Sequence, residues 1–195
     1  MLTEDAARRL LAAHVALDQT WGARSVAVSR AAGQIATALQ VAGAPVDSAL
    51  ARTGGLLHDI GRSVTHDLSG HAWAGYQRLL ADGEPLLARF YVAHQLGGLM
   101  PTEATVIGWP AADYRPRSWE EKAVTIADGL AMGNRIVLLA ERCADVRARY
   151  RATTPPAHYT LLCRVEAKLR ALMREVEALT GQSVETLCGA APLVP

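Results

Sequence analysis

The stretch Leu56-Leu57-His58-Asp59-Ile60-Gly61-Arg62 sets an imidazole and a carboxylate side by side at the end of an apolar run. Neighbours on a helix point about 100° apart, so His58 and Asp59 can share an ion only near a helix end. Gly61 is expected to supply that end. Upstream, Asp47 can cap a helix that carries Leu50, Gly54 and Leu57 into the pair. One helix rarely offers more than two ligands in one direction, so further ligands must come from other segments. Asp128 has Val124 four residues before it and Ala131 three after, on an apolar face where a carboxylate is costly unless paired or metal-bound. His94 shares a face with Leu87, Phe90 and Tyr91 and also looks inward. Imidazoles with carboxylates suit manganese, iron, cobalt, nickel or zinc, and do not choose among them.

The rest of the chain reads as successive helices. Thr3 can cap a first helix running to about Gln19. Residues 24–42 repeat apolar side chains every three or four positions and end at Gly43. Helices are also expected over residues 71–81 and 85–95. Residues 97–117, with glycines and prolines throughout, read as a long loop, and loops of this length are uncommon unless functional or disordered. Ser118 and Glu121 make a capping box for a helix to about Met132, and another helix follows over residues 136–151. After Thr153-Thr154-Pro155-Pro156, a seam of Leu162, Val165, Leu169, Leu172, Val176 and Leu179 runs to Gly181. That seam must pack on the body or on a second copy of the chain. No strand pattern is visible. The expected organisation is an all-α body over residues 1–152, an amphipathic helix over 157–181 and a tail over 182–195.

Composition narrows the class. Half of the 195 residues are hydrophobic but only 5% are aromatic, so Leu, Ala and Val must do the packing, which favours helices over sheet. Lys and Arg number 20 against 19 Asp and Glu, a balance that advertises neither nucleic acid nor an anionic membrane. The N-terminal residues include Glu4, Asp5, Arg8 and Arg9, which do not suit a secretory signal. Apolar runs such as residues 136–140 are too short to cross a bilayer. Cys143, Cys163 and Cys188 are odd in number and widely spaced, as expected of reduced thiols in a cytoplasmic protein.

Leu56 to Arg62 resembles the signature of the HD superfamily, a His-Asp-Ile-Gly run followed by a basic residue. His71, with Gly75 one turn later, resembles that family's next histidine segment, His94 the following one, and Ala127-Asp128-Gly129-Leu130 its closing aspartate. The stretch from Tyr114 to Lys122 is similar to small stand-alone HD phosphohydrolases. The likeness covers roughly residues 20–150. It implies an HD-type helical bundle and a two-metal layout. The first site would take His58, Asp59, Asp128 and an opening histidine. The second would take Asp59, His71 and His94.

The opening histidine is where this chain departs from the pattern. Ahead of Ser25-Val26-Ala27-Val28-Ser29-Arg30, its place holds Arg24, which faces inward with Val28 and Ile35. A guanidinium stays protonated and offers no lone pair, so Arg24 cannot be a ligand. His14 is a poor substitute from a separate helix. Three readings stay open. In a metal-dependent phosphohydrolase acting on a small phosphate ester, perhaps a nucleotide, His58, Asp59 and Asp128 hold the ion and His71 and His94 hold or poise a second, while Arg24, Arg62 and Arg117 are candidates for gripping phosphate. In a decayed HD protein that binds or regulates, Arg24 pairs with Asp59 or Asp128. A di-iron oxygenase would need both ions. His66-Asp67, a second HD dipeptide, falls in a polar stretch and reads as loop decoration or a contact at the lip of the site. Trp73, Tyr76, Trp109 and Trp119 read as packing, with closure of Trp109 over a substrate ring as the alternative.

Overall fold

The computed structural model describes residues 2–18, 20–67 and 69–191. Ten helices account for nearly all its regular structure: α1 (Glu4–Ala12), α2 (Thr20–Val41), α3 (Ser48–Leu57), α4 (Gly70–Ala81), α5 (Pro85–His94), α6 (Pro101–Val106), α7 (Trp119–Leu130), α8 (Leu139–Tyr150), α9 (Pro156–Thr180) and α10 (Val184–Leu187). The fold is all-α. A minimal antiparallel hairpin, β1 (Ala131–Met132) with β2 (Arg135–Ile136), joins α7 to α8. No strand was expected there, because two residues per strand are too few to show an alternation.

Packing is organised around α2, which buries Val28, Ala31, Ala32, Ile35 and Leu39 completely. It lies against α3 and α7, while α4 and α5 pair with each other and α5 closes onto α7. Local signals set several helix starts. The Thr3 hydroxyl accepts from the Ala6 N–H, Asp47 accepts from Ala49 and Leu50, and Ser118 accepts from Glu121.

The first helix stops at Ala12, short of Gln19, which lies outside the described residues. The second begins at Thr20, so Arg24 lies inside its second turn rather than at its start. Gly61 does not cap α3. That helix ends at Leu57, Asp59 leaves helical geometry at φ −109°, and a 3-10 turn follows over Ile60–Ser63. Gly61 is needed for close approach instead, since a Cβ there would lie 1.8 Å from the His71 carbonyl oxygen.

Residues 97–117 are not an open loop. They carry α6, and Leu99, Ala104, Ile107, Trp109 and Tyr114 form a second core with Ala72, Val92 and Leu161. The apolar residues are too irregularly spaced to show a helical period, yet enough to anchor the segment. The Trp109 ring sits 5.3 Å from those of Trp73 and Tyr114 and is committed to this cluster, not poised over a cavity.

The seam of α9 turns inward. Leu162, Leu169 and Val176 are buried, together with Leu161 and Met173, while Leu179 remains exposed. Gly181, at φ 67°, ends the helix in a left-handed cap. Ion pairs brace it to the body, chiefly Lys168 Nζ at 2.7 Å from both Glu103 Oε2 and the Gly98 carbonyl. Glu103 also caps α6 by accepting from the Met100 N–H. Burial opposes the Glu103 charge, but the hydrogen bonds from Lys168 and the Met100 N–H, with the charges of Lys168 and Arg164, together outweigh it and hold the carboxyl below its ordinary value of 4.5. Its contribution to stability is therefore full above that value and is lost as pH falls through the lower folded one. Glu103→Gln should cost about 1–3 kcal/mol near neutrality. Denaturant titrations of both chains should converge as the pH is lowered through the folded Glu103 value, below 4.5, and a constant gap would mean the charge plays no part.

Candidate metal centre

Five predicted ligands converge where the end of α3 meets α4, α5 and α7. His58 is fully buried, with Nδ1 2.8 Å from the Gly55 carbonyl and Nε2 3.1 Å from Asp128 Oδ1. His71, on the first turn of α4, places Nδ1 2.7 Å from the Asp67 carbonyl and Nε2 3.0 Å from Asp59 Oδ1. His94, the last residue of α5, sets Nδ1 2.9 Å from the Phe90 carbonyl and Nε2 3.9 Å from the same Asp59 oxygen. In all three rings a carbonyl accepts from Nδ1, so the neutral form of each ring carries its lone pair on Nε2, facing inward.

That arrangement fits a cation. Nε2 of His71 and Oδ1 of Asp59 are both acceptors at 3.0 Å, which is repulsive unless a proton or a metal lies between them. Asp59, His71 and His94 each offer a buried donor atom within 4.8 Å of the others. Burial pushes the His94 imidazole down to about 4, so at neutral pH the ring is in the uncharged form that a ligand requires. These three residues would hold the ion.

The neighbouring position is filled from within the protein. Arg24 Nη2 donates to Asp128 Oδ1 at 2.6 Å and to its carbonyl at 2.9 Å, while Nη1 donates to the Ala131 carbonyl at 2.5 Å. The guanidinium thus occupies the exit of α7, against the carboxylate that His58 also faces. Burial opposes the Asp128 charge, but Arg24 and His58 hold its pKa well below the usual carboxylate range. Asp59 is held low against burial by His58, His71 and Arg62, whose Nε donates to Oδ2 at 2.7 Å.

A cavity of about 440 Å³ opens onto the centre, lined by Asp59, His71, His94 and Asp128 and by Arg24 and Arg62. His66 is exposed and stands on its wall, a lip position. Arg117 is not brought to it. That side chain is exposed and donates to the Asp113 carbonyl at 3.3 Å, because the segment that carries it is anchored in the second core. His14, in the turn after α1, does not line it either. The outer wall is formed by Arg142, Arg149 and Tyr150 of α8, to which the sequence assigned no role, and by Leu162, Val165 and Leu169 of α9, expected only as part of a packing seam. The signal was present as a stripe at i, i+4 and i+7, namely Arg142, Val146 and Arg149.

Comparison with known proteins bears on this geometry directly, since the HD domain family matches residues 22–133, from α2 through the hairpin turn. The chain belongs to the HD-domain family. An uncharacterized protein of Methanocaldococcus jannaschii is 42% identical over 113 residues, spanning 57% of this chain and 66% of that protein. A tRNA (cytidine(56)-2'-O)-methyltransferase of Picrophilus torridus is 38% identical over 98 residues, half of this chain and 28% of the enzyme. Its counterpart in Thermoplasma volcanium is 32% identical over 104 residues, 53% of this chain and 30% of the enzyme. The chain therefore spans less than two thirds of each of these relatives. No solved structure matches it. Among the described residues of this HD protein, no helix is long and apolar enough to cross a membrane.

Proposed function

We propose that the protein is a metal-dependent phosphohydrolase of small phosphate esters that works with one resident ion, held by Asp59, His71 and His94. The observation that carries this reading is the meeting of Nε2 of His71 and His94 on one oxygen of Asp59, with every Nδ1 tied off by a carbonyl. Held by these residues, a divalent ion would supply Lewis acidity toward a phosphoryl oxygen and toward water at neutral pH. The chain's own groups do the rest. His58 keeps Asp128 in place, Arg62 presents positive charge at the cavity wall, and α8 and α9 limit the access of bulk water. Arg24 stands where the family's opening ligand would stand, and it neutralises Asp128 without a second ion.

The same two ion pairs, Arg24 with Asp128 and Arg62 with Asp59, favour a second reading. They leave both carboxylates partnered without metal, as in a module that binds an anion but does not turn it over. A di-iron oxygenase would need an ion where the Arg24 guanidinium lies.

Elemental analysis of protein purified without added metal or chelator separates the readings. The hydrolase predicts about one transition-metal equivalent per chain and turnover of a generic phosphate ester. No metal, and none taken up on titration, would support the binding module. Arg24→His should then raise the content toward about two equivalents, because imidazole restores a lone pair facing His58 and Asp128. Unchanged content in a folded Arg24→His protein would remove Arg24 from this role.

A further inference from the structure

One wall of the cavity is built by α8, which lies beyond the residues that the family match covers. Arg142 and Arg149 both project from α8 into the cavity lining, and both donate to one oxygen, Asp145 Oδ2, at 3.1 and 2.6 Å. Two guanidinium groups thus share a single carboxylate and lie side by side. The Arg142 side chain is only 15% exposed, and its Nε is buried without a hydrogen-bond partner. A buried N–H left unsatisfied is costly and marks a place where a partner belongs. By contrast, Arg24 donates to three acceptors of its own chain and Arg62 is bonded to Asp59.

We propose that Arg142 and Arg149 form the subsite that grips the phosphate group of an organic phosphate, whose apolar body lies against Leu162, Val165 and Leu169 of α9. For its substrate this rests on the phosphohydrolase reading. Paired guanidinium groups match the tetrahedral oxygens of a phosphate with parallel, charge-assisted hydrogen bonds. The facing wall is aliphatic and includes two buried leucines, so inorganic phosphate would leave half of the cavity surface unmatched. Burial and the nearby Arg24 press the Arg142 pKa down, a penalty that an incoming anion relieves. The cavity, at about 440 Å³, has the size of sites for molecules with an apolar body and a few polar anchors.

The test is calorimetric titration of the full chain, as purified, with inorganic phosphate and with phenyl phosphate. Phenyl phosphate should bind more tightly than inorganic phosphate. Arg142→Gln should weaken both by about tenfold or more, the loss expected for a charge-assisted pair. Arg149→Gln, at a half-exposed position that tolerates substitution, should weaken both several-fold even where the buried Arg142 variant folds poorly. Arg151→Gln removes the same charge from an exposed site off the cavity and should change nothing. Equal losses in all three variants, or unchanged affinity in the first two, would overturn the proposal. So would phenyl phosphate binding no better than inorganic phosphate. Kinetics keep the two readings apart. A chain that binds phosphate through Arg142 but hydrolyses nothing refutes the hydrolase alone. A hydrolase whose KM is unmoved in both α8 variants refutes the subsite alone.

Discussion

Asp59→Ala should abolish bound metal and reduce phosphate-ester turnover by well over a hundredfold. Even an outer partner of a ligand is worth about 10–100-fold in metal affinity, and Asp59 would be a direct donor that both His71 and His94 face. It is also the buried negative charge against which His58, His71 and Arg62 are arranged, so deletion costs stability as well as function. Removing one member of a buried pair costs about 3–5 kcal/mol. Asp59→Asn, which keeps the volume, separates the two effects. Chelator should lower the Tm of the native protein, because an ion that binds only the folded state adds to its stability. The same chelator should leave Asp59→Asn unmoved. Full turnover in either folded variant would sink the mechanism.

Gly61→Ala should destabilise the fold by about 3 kcal/mol or more, a large effect for one methyl group. Gly61 has no left-handed φ, so alanine is conformationally acceptable there and the cost is purely steric. The added Cβ would lie 1.8 Å from the His71 carbonyl oxygen and 2.7 Å from the Gly75 nitrogen. Both are backbone atoms of α4, which no rotamer change can move aside. The turn after Asp59 and the first turn of α4 would have to part, drawing His71 Nε2 away from its 3.0 Å contact with Asp59. Metal content should therefore fall along with the denaturation midpoint. A variant within about 0.5 kcal/mol of the native chain, with its metal retained, would show that this contact is not tight.

What the sequence determined alone is local. Side-chain caps at Thr3, Asp47 and Ser118 reach only two or three residues, so the helix starts they set are written where they act. The apolar period of α2 and α9 was legible for the same reason, and so was the adjacency of His58 and Asp59. The fate of each charged group was not. Arg24 could be placed on an inward face from its spacing to Val28 and Ile35, but its partner lies 104 residues away, and either Asp59 or Asp128 would have satisfied it. Only the packing of α2 on α7 chose Asp128. Likewise, Arg142 and Arg149 look like ordinary helix-surface charges until α9 folds over α8 and encloses them with the centre. Arg117, with the same chemistry, is carried off by a segment whose buried aromatics anchor it elsewhere. Caps and periods are decided by bonds along the chain. Membership of the cavity is decided by which surfaces meet across it, and no short stretch of residues encodes that.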